Sequence, residues 1–173
     1  MRSRFTTRSA RMALAVLAAL ALGGAATATA TADSSGSSTQ ACATSDLTFS
    51  VKTETEAGGY YLITAKAKPG IICHLEGVSP SASFGSHPNT GVSPAEQSAS
   101  DDVVLAGSDA AYAGINPKTT ADDNGVQFDQ LHLSVAGDEE NSVTLHLPDT
   151  ATVDQPIATN WHADPADAVP FIG

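Results

Sequence analysis

The chain is poor in cysteine, in aromatics and, past its first eleven residues, in arginine. It has two cysteines in 173 residues, Cys42 and Cys73. A zinc site wants closely spaced pairs and a thioredoxin-like site wants Cys-x-x-Cys, so both are excluded. Aromatic residues make up 5% of the chain, too few for the extended stacking surface of a polysaccharide groove. All four arginines, Arg2, Arg4, Arg8 and Arg11, stand at the start; beyond them Lys52, Lys66, Lys68 and Lys118 face 19 acidic residues, a balance of −15. Nucleic acids and anionic membranes both require clustered cations, and no such cluster exists here. The acidity itself reads as solubility. No apolar run reaches the roughly 20 residues that a membrane-spanning helix needs. There is no Gly-x-Ser-x-Gly elbow, and no apolar 3.6-residue period follows residue 32.

What is present begins at the N-terminus. The basic start leads into an apolar run, Met12 to Leu22, and then into small residues offering Ala-x-Ala sites up to Ala32. This pattern predicts a cleaved secretory signal over residues 1–32. Residues 33–41, rich in Ser and Gly, follow as a flexible tether. Residues 42–173 form one domain, long enough for a core of its own. An exported chain with an even cysteine count predicts a structural disulfide between Cys42 and Cys73. Their separation of 31 makes that bridge worth about 3.5 kcal/mol by chain entropy.

From Cys42 onward the dominant period is two. Leu47, Phe49 and Val51, then Tyr61, Ile63 and Ala65, then Ile71, Cys73 and Leu75 alternate with other residues. Further strands are expected at 103–105, 111–113, 126–135 and 143–147, separated by Gly-, Pro- and Asp-rich turns. Short strands at this spacing predict an all-β antiparallel sandwich. Ser86 to Ser100 reads as a long surface loop. The hairpin of 127–135 with 142–147 is expected to align Leu133 with Leu145, which sets His132 opposite His146 on the solvent face. Those two histidines are the candidates for a soft or borderline metal, and two ligands do not make a site; Asp138–Glu140, Asp164 and Asp167 read as solvated acids, with calcium the minor alternative. Thr120 to Gly125 echoes a calcium loop, but Thr120 and Leu131 stand where that loop needs Asp and Glu. A plain Asp-Asn-Gly turn is expected instead. Trp161 is expected in the core or over its edge.

Several motifs in this order resemble the family named for domain of unknown function 4232. Cys42-Ala-Thr-Ser-Asp-Leu47 resembles its opening, and Cys73-His-Leu-Glu-Gly77 with Pro80 resembles its second cysteine element. Val104 to Ala113 resembles its Leu-x-Pro-Gly-x-x-Ala turn and strand, with Ala106 where Pro is usual. Leu131–Val135 and Val143–Leu147 match its closing hairpin. The resemblance spans about residues 42–170. It implies an immunoglobulin-like sandwich, exported and often envelope-associated, with no activity attached. Many members carry a second cysteine pair; the corresponding regions here read Asp122–Gly125 and Thr159–His162, which implies a C-terminal segment held by packing alone.

Together these readings predict a secreted, non-enzymatic, monomeric β-domain without cofactor. It would act as a binding or structural module toward an unknown extracellular or cell-envelope ligand. The alternatives are a weak metal binder using His132 and His146, or an inhibitor or adhesin presenting the Ser86–Ser100 loop.

Overall fold

The computed structural model describes residues 39–87 and 90–171; the expected signal segment and most of the tether lie outside them. Ten strands and three short 3-10 turns make up the secondary structure, with no α-helix among the described residues. The fold is all-β, and no described helix is long and apolar enough to cross a membrane.

The first strands follow the alternation read from the sequence. β1 (Leu47–Glu54) and β2 (Tyr60–Ala67) pair antiparallel with Phe49 opposite Ala65 and Val51 opposite Ile63. The connecting turn carries Ala57, Gly58 and Gly59 at positive φ, a region that glycine enters freely and alanine only at a cost. β2 then pairs with β7 (Ala111–Asn116), where Ala111, Ala113 and Ile115 are fully buried. β10 (Ile157–Ala158) lies on the far edge of β7, and β5 (Ser93–Pro94) joins β10 in parallel. This sheet is therefore mixed, where a wholly antiparallel one was expected. The stretch read as a surface loop contributes that parallel strand.

β3 (Ile72–Leu75) pairs with β6 (Val103–Ala106), and β4 (Ser81–Ser83) with β8 (Val126–Ser134) and β9 (Val143–Val153). Buried side chains of all three sheets meet in one core: Ile63, Ala65 and Ile115 from the first, Cys73, Leu75 and Leu105 from the second, Leu131 and Leu133 from the third. Each large aliphatic residue in this cluster contributes about 1.5–3 kcal/mol relative to exposure. Trp161, 1% exposed, is a core residue whose Nε1 has no hydrogen-bond partner among the described residues.

The Cys42–Cys73 disulfide is present. Around it, Cys42 N donates to His74 O at 2.8 Å and His74 N donates to Gln40 O at 2.9 Å. Residues 39–41, assigned to the tether from composition, thus run along β3 as a paired edge. Thr44, 1% exposed, extends this strap to the β8–β9 hairpin, donating from N to Asp138 Oδ2 and accepting from Val135 N.

Candidate functional site

The residues that converge most closely come from the 95–100 loop and the segment after β10. The parallel pairing of Ser93–Pro94 with Ile157–Ala158 continues as Ala95 N donating to Ala158 O at 2.7 Å. This lays Glu96 against Asn160 and His162. Glu96 Oε1 accepts from Asn160 N (3.0 Å) and lies 2.9 Å from His162 Nε2; Oε2 accepts from Asn160 Nδ2 (2.9 Å) and Ser100 Oγ (3.3 Å). Asn160 Nδ2 also donates to Ser98 O at 2.8 Å. The His162 backbone is fixed in turn, exchanging two 2.8 Å bonds with Tyr112. Burial pushes the Glu96 carboxyl pKa up, but the donors from His162 and Asn160 outweigh it, and the group titrates below its ordinary range.

The pair forms one wall of a cleft of about 460 Å³, shared with Ala95, Thr159, Asp167, Val169 and Phe171. Phe171 is 78% exposed at this cleft. A carboxylate–histidine pair is the orienting half of many hydrolytic sites, in which the free imidazole nitrogen activates a nucleophile. The hydroxyls beside this pair are already engaged. Ser100 donates to Glu96 itself, while Thr159 Oγ1 donates to Asn160 O and accepts from Gly114 N. A carboxylate offers about four acceptor sites, and Glu96 meets four groups. The arrangement is a polar clamp. It also corrects the expectation that packing alone holds the C-terminal segment: hydrogen bonds fasten Thr159, Asn160 and His162.

Sequence reasoning missed this cluster. Glu96 lies in a stretch of small residues with no period, and His162 follows the only tryptophan; nothing in either pattern links positions 66 residues apart.

The histidines that the sequence did single out are not opposite each other. Leu131 pairs with Leu145, so His132 faces Thr144 and His146 faces Gln130, a register two residues away from the one expected. The cause lies at the turn. Val135 N is drawn to Thr44 Oγ1 at 3.0 Å and its carbonyl accepts from Asp138 N, which takes Val135 out of the ladder. A two-residue slip keeps every apolar side chain on the core face, so alternation could not distinguish the two registers. Among the described residues no group of three or more His, Cys, Asp or Glu is placed to hold a metal.

The calcium-like segment is a turn around a cation of its own. Lys118 Nζ donates to Thr120 Oγ1 (2.6 Å), Asp122 Oδ1 (3.0 Å) and Asn124 O (2.7 Å), with Asp154 Oδ2 at 3.8 Å. The Lys118 ammonium bond is the largest influence on Asp122, whose carboxyl is drawn down to about 2.

No curated protein and no solved structure matches the chain. The family model described as "Domain of unknown function (DUF4232)" matches residues 42–162, from the first cysteine of the disulfide to the histidine of the clamp. The match covers well over half of the sequence, and the chain belongs to that family.

Proposed function

We propose that the protein is an exported, non-catalytic, monomeric domain of immunoglobulin-like sandwich type that binds a ligand or plays a structural part at or outside the cell envelope. One observation carries the non-catalytic reading: the acceptor sites of Glu96 are filled by the chain's own donors, and the neighbouring hydroxyls point into the clamp rather than toward His162. Such a pair holds a segment in place, and the nearby hydroxyls of Ser100 and Thr159, which the imidazole nitrogen turned away from Glu96 would need in order to act, are spent on hydrogen bonds inside the clamp. The buried Cys42–Cys73 bridge is compatible with an oxidising compartment. The basic-then-apolar sequence of the first 32 residues supports export.

A panel of esterase, amidase, glycosidase and phosphatase substrates tests the first point. No time-dependent turnover is expected. Turnover that disappears in Glu96→Gln and His162→Ala would overturn the reading. Fractionation of producing cells tests the second: the protein is expected in supernatant or wall fractions, shortened by about the length of the leader, and an unshortened cytosolic form sinks it.

A further inference from the structure

On the β3–β6 pair, Ile72, His74, Val104 and Ala106 turn outward, because Cys73, Leu75, Val103 and Leu105 between them are buried. Ile72 is 65% exposed and Val104 is 52% exposed, so two large apolar side chains stand in solvent on one small face. The ladder also fixes which way the backbone points. His74 donates its N–H to Gln40 O and accepts at its C=O from Cys42 N, both on the strap, so its main chain faces away from β6. In an antiparallel ladder the residue opposite then faces away as well. Val104 stands opposite His74. Its N–H and C=O therefore point out of the sheet edge, as does the N–H of Ala106. Among the described residues β6 has β3 as its only ladder partner, and these outward groups carry no hydrogen bond. The edge is open.

Open edges pair with other extended chains, and charges beside them restrict which chains. Exposed Asp101, Asp102 and Asp109 flank β6, and exposed Glu76 follows β3. Residues 72–76 and 101–109 contain no lysine or arginine. A second copy pairing about Val104 would lay both copies' Asp101 and Asp102 along one short ribbon, and each chain carries a balance of −15 past Arg11. Repulsion disfavours that occupant. An extended segment with basic residues on either side of an apolar one meets the same acids with attraction. Its apolar side chain then rests on Ile72 and Val104, while its backbone pairs with the edge.

We propose that the open edge of β6 docks an extended, basic segment of a partner protein, which adds a strand beside Val104. The main-chain groups of Val104 and Ala106 hold its backbone, the Ile72–Val104 face takes an apolar side chain, and Asp102 and Glu76 meet its basic ones. The inference rests on reading the domain as a binding module and names the kind of partner it binds. So few main-chain bonds make a weak site, with a Kd of about 0.1–1 mM for an isolated short peptide.

The ¹⁵N-labelled protein is titrated with the end-blocked peptide Lys-Thr-Val-Thr-Lys, and separately with Glu-Thr-Val-Thr-Glu, and followed by NMR. Saturable amide shifts centred on Val104 and Ala106 are expected with the lysine peptide, and binding of the glutamate peptide should be at least about tenfold weaker. Val104→Pro removes one outward N–H while leaving the bonds to β3 in place, and should abolish the shift at Ala106. If that variant loses its dispersed spectrum, Val104→Lys at the same exposed position keeps the test valid and should weaken the lysine peptide roughly tenfold by repulsion. Shifts that saturate with neither peptide mean that the aspartates only guard the edge, and they overturn the proposal. Equal binding of both peptides, or shifts that a folded variant leaves unchanged, overturn it too. Shifts at Val104 that grow with protein concentration alone identify a second copy as the occupant and likewise overturn it. Each failure removes the edge alone, because turnover and fractionation decide the reading of the domain separately.

Discussion

Asn160 donates to Glu96 twice, from its main-chain N–H at 3.0 Å and from its side-chain amide at 2.9 Å, one bond to each carboxylate oxygen. The backbone bond fixes where the segment after β10 lies, and the amide fixes how the 95–100 loop turns to meet it. Because His162 joins the same carboxylate, one side chain holds three others.

Glu96→Gln keeps the shape but removes the charge from this cluster and turns one acceptor into a donor. It should cost about 1–3 kcal/mol, read as a lower urea midpoint with an unchanged slope. The pH dependence has a definite sign. The folded carboxyl titrates below its ordinary value of 4.5, so its stabilisation is complete above that value and is lost as pH falls through the folded pKa. Wild-type protein should therefore lose stability on acidification below about pH 4.5 more steeply than Glu96→Gln.

The disulfide closes a 31-residue separation between the strap and β3. Replacing both cysteines by alanine should remove about 3.5 kcal/mol. Denaturation of the double variant should coincide with that of the reduced wild type. A midpoint equal to that of the oxidised protein contradicts this account.

Gly114 sits on β7 under the returning C-terminal segment, where an added Cβ would collide with the carbonyl oxygen of Ala168. Gly114→Ala cannot be absorbed by a flexible side chain, since the obstacle is backbone. It should cost about 1–3 kcal/mol and loosen residues 163–171. Limited proteolysis should cut that segment sooner than in wild type, with β1–β2 still protected.

Lys118 fills the turn that the sequence makes look like a calcium loop. Lys118→Met leaves the partly buried Asp154 without its cation and should cost about 1 kcal/mol. The same change should move the NMR-detected titration of Asp122 upward from about 2, since the lysine contact is the largest cause of its depression. An Asp122 titration that stays in place would show that Asn124 alone sets it.

Much of the fold was legible because local chemistry demands it. The alternation in Leu47–Val51 and Tyr61–Ala65 allows only one set of faces, and the pairing of β1 with β2 follows it residue for residue. Gly70, Gly107 and Gly137 fall at turns with positive φ, as turn composition indicates. The end of β9 was not legible: Pro148 and Asp149 are poor strand formers and interrupt the alternation. The irregular pairing there releases Asp149, which accepts from Tyr61 Oη at 2.8 Å across to the first sheet.

The sequence by itself determined the strand periodicity, the cysteine pair, the acidic balance and the family, because each depends on residue identity and local spacing. Tertiary structure decided the register of β8 on β9, the parallel strand at Ser93–Pro94 and the meeting of Glu96 with His162. Each of these depends on contacts between residues far apart in the chain. Alternation is blind to a slip of two, and a hydrogen-bond acceptor in a small-residue loop gives no sign of its donor until the chain has folded around it.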